Sequence, residues 1–191
     1  MTTPTTDQIR EFVIAGHGNL PQVQALLAET PALLNLAYAW SETDHETAVQ
    51  AAAHVGSAPT AEYLLAQGAP LAIPTAAMLG RRAEVDRLLA EDPARLAERG
   101  AHGIPLLAHA AFSGDAALVA DLYARGAREG AALALSNAAA SGHLEVVRWL
   151  ADHAAPDLAW RNWQDKTPLT VAAEAGHAAV AEFLRSRGAP A

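Results

Sequence analysis

The sequence predicts an all-helical solenoid of about six stacked helix-turn-helix units. A short frame of two small residues, two variable residues and a glycine recurs along the chain. After each of these glycines, apolar residues recur at helical spacing. Aromatic residues make up only 5% of the chain and alanine is common, which suits helices packed at close range.

Six copies of the frame mark the units. They are Ile14–Gly18, Ala52–Gly56, Ala76–Gly80, Ala110–Gly114, Ala138–Gly142 and Ala172–Gly176. The glycine permits a positive-φ turn between two helices, and the small residues permit close approach of neighbouring helices. No unit could bury its apolar face alone, so the units must stack into one domain, residues 1–191. The predicted units are about 7–36, 37–70, 71–100, 101–129, 130–160 and 161–191.

The last two units carry the clearest family signature. Lys166–His177 reads KTPLTVAAEAGH and resembles the ankyrin-repeat consensus TPLHLAAxxGH. Gly142–Leu150 is also similar to the consensus. The resemblance covers about residues 7–191 and implies paired helices, finger loops and a concave groove, although the consensus histidine of the first string is replaced in every unit. Residues 7 to about 126 also resemble a group of small bacterial ankyrin-repeat proteins, through strings such as Asp44–Ala48 and His102–Ala110.

Charge and composition argue against several partners. The formal net charge is −8 and the basic residues are scattered, so no basic stripe is available for nucleic acid. No apolar run is long enough to span a bilayer, and the N-terminus does not resemble a signal peptide. There is no cysteine. We therefore expect a cytoplasmic protein with neither a nucleic-acid nor a membrane partner.

The spacing of the frames predicts an unusual groove. The six glycines are separated by 38, 24, 34, 28 and 34 residues. The short second interval would delete the finger of unit three, and the long first interval would extend the finger of unit two. The fingers of units two and four could then wall a notch floored by Met78, since packed helices lie about 8–10 Å apart.

Four ionisable residues are expected around this notch. They are Asp44, Glu46, His54 and His102, and as a set they could transfer protons. The alternative is ordinary loop chemistry, in which Asp44 caps a helix and Glu46 is solvated in its first turn.

A second set of residues is expected to contact a substrate. By their mapped positions in fingers and on inner helices, these are His17, Trp40, Met78, Ile104, His109, Phe112 and Trp163. For His109 the alternative is a buried core histidine.

The sequence gives no signal for a metal or another cofactor. The histidines and acidic residues lack a short paired spacing on one helix, such as HExxH. There is no glycine-rich phosphate loop, no GxSxG motif and no cysteine nucleophile. We therefore expect neither a metal site nor a cofactor.

Two functions remain open. The first is a small cofactor-free enzyme that binds an organic metabolite and catalyses acid-base elimination, addition or cyclisation. The second is a protein-interaction module in which the groove binds a protein, as an adaptor or as an inhibitor of the antitoxin or immunity kind. The sequence favours the enzyme narrowly, because the missing finger and the ionisable residues coincide. Fold alone does not decide between them.

Overall fold

The computed structural model describes residues 3–190 and confirms the helical solenoid. Its helices form contacting pairs, one pair for each predicted unit. The pairs are α1 (Thr6–Gly16) with α2 (Leu20–Glu29), α3 (Ala48–His54) with α4 (Ala58–Ala66), α5 (Ile73–Met78) with α6 (Arg82–Glu91), α7 (Leu106–Ala110) with α8 (Ala116–Arg125), α9 (Ala131–Ala140) with α10 (Leu144–His153), and α11 (Pro168–Glu174) with α12 (Ala178–Ser186). The ends of the predicted domain, Met1, Thr2 and Ala191, lie outside the described residues.

The inner helices stack in chain order, and small residues let them approach. Each of α1, α3, α5, α7 and α9 contacts the next inner helix. At the first of these contacts, a Cβ on Gly16 would lie only 2.6 Å from the carbonyl oxygen of Ala48. Gly16 therefore sets the distance between units one and two.

We expect Gly16→Ala to destabilise the first unit by about 1–3 kcal/mol, because the added methyl group meets backbone that cannot move aside easily. Urea denaturation followed by circular dichroism measures the change. Arg10→Ala in the same helix is the control, since Arg10 is exposed. Equal stabilities of the two variants would contradict the close approach of α1 and α3.

The buried apolar residues form three clusters along the solenoid. The first lies in units one and two and includes Phe12 and Leu64. The largest runs from Ile73 through units three to six. A small cluster of Ala52, Ala53, Ala61 and Met78 lies between them. Within residues 3–190, no helix combines the length and apolar character needed to cross a membrane.

The fingers differ in length as the glycine spacing predicts. The finger of unit two is a hairpin of β1 (Ala37–Ala39) and β2 (His45–Thr47). In unit three, only residues 67–72 separate α4 from α5, and they contain no strand. The finger of unit four is a turn closed by the N–H of Gly100, which donates to the carbonyl oxygen of Ile104 over 2.9 Å. With no finger between them, β2 contacts the Ala101–Gly103 turn.

Candidate functional site

A buried carboxylate lies where the fingers of units two and four meet. Glu46 of β2 is fully buried. Its Oε1 lies 2.9 Å from His54 Nδ1, and its Oε2 lies 3.5 Å from His102 Nε2 and 3.8 Å from His17 Nε2. Trp40 Nε1 donates a hydrogen bond of 2.8 Å to the same Oε2. We call these residues, together with Asp44, the Glu46 cluster.

The junction between β2 and α3 holds Glu46 rigidly. Thr47 is the N-cap of α3, and its side chain accepts a hydrogen bond from the N–H of Gln50. The Gln50 side chain in turn accepts from the N–H of Thr47 over 2.9 Å. This reciprocal capping box fixes the backbone next to Glu46. His54 ends the same helix, so unit two supplies both the carboxylate and one imidazole.

The contact between fingers is a hydrogen bond between Asp44 and His102. His102 Nδ1 donates to Asp44 Oδ2 over 2.7 Å. His102 adopts a positive φ of 56°, which turns the tip of the fourth finger toward the second. A finger in unit three would stand between these residues. The deletion in unit three therefore allows His102 to reach the cluster.

The three imidazoles lie side by side over the carboxylate. The rings of His17 and His54 meet edge-on with centroids 4.8 Å apart, and those of His54 and His102 do so at 4.9 Å. His17 Nδ1 is 3.1 Å from the carbonyl oxygens of both Val13 and Ile14. A carbonyl only accepts, so Nδ1 carries the proton and Nε2 is directed toward Glu46.

The cluster stabilises the charged form of its carboxylates. Burial raises the pKa of Glu46, but the contacts with His54, Trp40 and His17 outweigh burial, and the net pKa lies below the ordinary value. The hydrogen bond from His102 lowers the pKa of Asp44. Both carboxylates are therefore the anionic components of the cluster.

Access to the cluster is through its histidines. The side chains of His102 and His17 are 36% and 29% exposed, whereas that of Glu46 is completely buried. A molecule that approaches the cluster from solvent meets imidazole first, and the carboxylate lies behind it.

The structure brings together all four residues predicted to transfer protons, Asp44, Glu46, His54 and His102. The alternative roles do not match the positions found. Thr47, and not Asp44, caps α3. Glu46 is not solvated. The positions of these four residues therefore agree with a clustered site.

The residues predicted to contact a substrate do not all lie in the Glu46 cluster. Trp40 and His17 do lie in the cluster. Met78 and His109, however, are buried in the core at 2% and 0% exposure, so the prediction that they contact a substrate is wrong. Met78 packs against small residues of unit two and cannot floor an open notch.

His109 supports the base of the fourth finger. Its Nδ1 lies 3.3 Å from the carbonyl oxygen of Ala53, and burial lowers its pKa to about 4. A Cβ on Gly100 would lie 2.2 Å from His109 Nε2, so the finger backbone rests directly on the ring. The core histidine interpretation is the correct one.

We expect Gly100→Ala to displace the fourth finger and to destabilise the chain by about 1–3 kcal/mol, because the methyl group has no room beside His109. Thermal unfolding measures the loss. The control is Glu129→Ala, at an exposed position near the same finger. A Gly100→Ala melting temperature equal to that of the control would contradict this packing.

The other predicted contacts lie apart from the cluster. Ile104 and Phe112 are half-buried and pack against the core. Trp163 is 91% exposed in the finger of unit six. Units two and six are separated by three stacked inner helices, at about 8–10 Å per step, so Trp163 and the cluster cannot hold one small molecule together.

The predicted enclosed notch is not where the sequence placed it. The fingers of units two and four touch through Asp44 and His102, and Met78, the last residue of α5, is buried. A hollow of about 470 Å³ lies elsewhere, between Pro93–Arg99 and Gly126–Glu129. None of its lining residues belongs to the cluster.

The sequence predicts no metal site, but the structure groups four possible ligands. His17, Glu46, His54 and His102 each offer one ligand atom, and these atoms all lie within 4.8 Å of one another. They form no paired motif on one helix, since they come from the C-cap of α1, from β2, from α3 and from the finger of unit four. The frames do indicate that two of these histidines are close together, because His17 and His54 occupy variable groove positions in consecutive units.

Two other histidines have a purely structural role. His143 Nε2 donates to the carbonyl oxygen of Phe112, and His177 Nε2 donates to that of Ala140, at 2.9 and 3.0 Å. Both follow a frame glycine and tie their unit to the preceding one. His17 precedes its frame glycine, Gly18, and bonds within its own helix, which leaves its Nε2 for the cluster.

Comparison with known proteins identifies the repeat. The family model for ankyrin repeats (3 copies) matches residues 107–190. A search of curated proteins finds no match to the chain. The matched segment spans α7 to α12 in the structure, and the earlier helix pairs continue the same stack. Residues 107–190 are therefore ankyrin repeats.

Proposed function

We propose that the Glu46 cluster is an acid-base centre that acts on a small organic molecule bound at the exposed imidazoles of His17 and His102. The observation that carries the proposal is the convergence of three imidazoles on one buried carboxylate. A helical repeat does not need such an arrangement for stability, because unpaired or imperfectly paired buried charge costs free energy.

The exposed and buried residues have different roles in this proposal. His102 meets the substrate, and Asp44 fixes the tautomer of its ring through Nδ1. Glu46 lies behind the imidazoles and stabilises the positive charge that each gains when it takes up a proton. In these roles, the carboxylates orient the imidazoles and stabilise their protonated forms.

The reaction class is elimination of water or its reverse, addition, with cyclisation as a related case. In the elimination, one imidazole removes a proton from carbon, and the electrons of that C–H bond form the new double bond. The C–O bond breaks with its electron pair on oxygen, and a second imidazole, protonated, supplies the proton that completes the leaving water. Two neighbouring histidines, His17 and His102, are available for these roles.

A screen of hydroxylated and unsaturated metabolites by mass spectrometry tests the proposal, because loss or gain of one water is directly visible. For any substrate found, we expect His102→Ala and Glu46→Gln to lower turnover by about 10²–10⁴-fold. His45→Ala is the matched control, since His45 is an exposed histidine on the same strand. Turnover that survives both cluster substitutions would contradict the proposal.

A second function, protein binding through the concave groove, is favoured by Trp163. Ankyrin repeats typically mediate protein interactions. Trp163 is 91% exposed at a finger tip, and exposed tryptophan is enriched among residues that dominate binding energy.

A photo-reactive amino acid at position 163 tests this second function. We expect one protein to be crosslinked from position 163 and its binding to weaken on Trp163→Ala. The matched control is a photo-reactive residue at Glu145, which is 73% exposed on an outer helix. Equal crosslinking from both positions would indicate that the groove is not a specific binding surface.

A further inference from the structure

We propose that His17, Glu46, His54 and His102 bind a divalent first-row transition metal ion. The inference goes beyond the proposed acid-base function, which requires no metal. It depends on the direction of the nitrogen lone pairs, on the unpartnered oxygen of a buried carboxylate and on the spacing of the four ligand atoms.

Two imidazoles direct a bare nitrogen toward an anion. In His17 and in His102, Nδ1 donates its proton to an oxygen outside the four ligands. Their Nε2 atoms then present lone pairs toward Glu46 Oε2, at 3.8 and 3.5 Å. In the neutral rings, these two lone pairs repel the carboxylate unless a positive charge, either a proton on each Nε2 or one metal ion, lies between them. A metal ion at that position satisfies all three groups.

The contact between His54 and Glu46 involves the other oxygen of the same carboxylate. Glu46 Oε1 and His54 Nδ1 are 2.9 Å apart, yet neither atom has a hydrogen-bond partner with acceptable geometry. A short but misaligned contact is the arrangement expected when both atoms point to a shared third position. An unpartnered oxygen on a carboxylate that is fully buried also requires a compensating ligand.

The spacing of the ligand atoms is close to that of a coordination sphere. Bonds of about 2.0–2.1 Å in a tetrahedral site place the ligand atoms about 3.3–3.5 Å apart. The three distances from the Glu46 oxygens to the imidazoles are 2.9, 3.5 and 3.8 Å, and the widest separation in the set is 4.8 Å. Small side-chain rotations therefore bring the three imidazoles, and one or both oxygens of the carboxylate, onto one ion.

The surrounding groups orient these ligands as in known metal sites. Asp44 accepts from His102 Nδ1, which forms a carboxylate–histidine pair behind the ligand nitrogen. Trp40 donates to Glu46 Oε2 and orients the carboxylate. A divalent ion would be balanced in charge by the two anionic carboxylates, Asp44 and Glu46. The exposed sides of His17 and His102 leave a path for entry.

The chemistry of the ligands sets the class of metal. Three imidazoles and one carboxylate suit zinc, iron, cobalt, nickel or copper, whereas magnesium and calcium prefer all-oxygen sites. The four ligands come from units one, two and four, so a bound ion would also join these units.

The test is titration of the chelator-treated full chain with Zn²⁺ by calorimetry and with Co²⁺ by visible absorption. We expect one ion per chain and a Co²⁺ spectrum of low coordination number. His17→Ala and Glu46→Gln should each lower Zn²⁺ affinity by at least about 100-fold. Asp44→Asn should lower it by about 10–100-fold, as loss of a partner behind a ligand does.

His45→Ala is the matched control and should bind Zn²⁺ like the unchanged chain. Circular dichroism of each variant verifies folding, and Zn²⁺ should raise the melting temperature of the unchanged chain and of His45→Ala, but not that of His17→Ala or Glu46→Gln. Absence of 1:1 binding, or Zn²⁺ binding that persists in both His17→Ala and Glu46→Gln, would overturn the metal site.

Failure of this inference is distinguishable from failure of the proposed function. Metal binding is measured without any substrate, and turnover is measured on the chelator-treated chain. If the chelator-treated chain turns over substrate but does not bind Zn²⁺, the acid-base function is supported and the metal site is wrong. If the chain binds Zn²⁺ but shows no turnover, the metal site is supported and the acid-base function is not.

Discussion

Phe12→Ala is expected to lower the stability of the first two units by about 3–5 kcal/mol while units four to six remain folded. Phe12 is fully buried in the N-terminal apolar cluster, and its truncation leaves a cavity. In a solenoid most contacts join neighbouring units, so damage spreads mainly through the interfaces between units. Here the linking cluster consists of three alanines and Met78, which bury little apolar area.

Hydrogen exchange measured by mass spectrometry resolves this effect along the chain. We expect faster exchange in α1 to α4 of Phe12→Ala and unchanged exchange in α9 to α12. Ile14→Ala is the matched control, because Ile14 lies in the same helix and is 43% exposed. Uniform acceleration over all helices would show that the solenoid unfolds as one cooperative unit.

Acidification from pH 6.5 to pH 4 should cost the fold about 3 kcal/mol through His109 alone. Burial lowers the pKa of this imidazole from 6.5 to about 4 in the folded chain. Between these two pKa values the unfolded chain binds a proton that the folded chain does not, so stability falls as the pH falls. The contribution is complete above pH 6.5 and is lost progressively down to pH 4, at about 1.4 kcal/mol per pH unit.

Comparison with His109→Gln isolates this contribution from that of the carboxylates. Glutamine keeps a polar side chain at the position but does not titrate, so the difference in unfolding free energy between the two proteins should change by about 3 kcal/mol across the interval. Urea denaturation at a series of pH values measures it. His45→Gln, which leaves His109 in place, should retain the slope. Parallel curves for the unchanged chain and His109→Gln would contradict the burial of a neutral imidazole.

Periodicity made the fold predictable from the sequence. Frames such as Ala52–Gly56 recur because each unit packs its inner helix against the next in the same way. The interval between frame glycines increases or decreases with the length of the finger. The missing finger of unit three was predicted on this basis. The close backbone contact at Gly16 follows the same logic of small residues at an inner-helix interface.

The sequence predicted which ionisable residues lie close together, but it did not predict the shape of the site. Asp44, Glu46, His54 and His102 were brought together by counting finger lengths, whereas depth and enclosure depend on side-chain packing that spacing does not encode. Met78 illustrates the failure, since its side chain packs in the core against Ala52, Ala53 and Ala61. The grouping of three imidazoles with Glu46 could not be predicted from spacing along the chain, because these residues come from four separate parts of the fold.

Nitrogen-resolved NMR of the imidazoles, recorded on the chelator-treated chain and on Glu46→Gln, determines whether three histidines from units one, two and four surround one buried carboxylate. We predict protonated Nδ1 in His17 and His102. The resonances of His17, His54 and His102 should all shift in Glu46→Gln, while those of His143 and His177 should not. Unchanged resonances for the three cluster histidines would contradict the site.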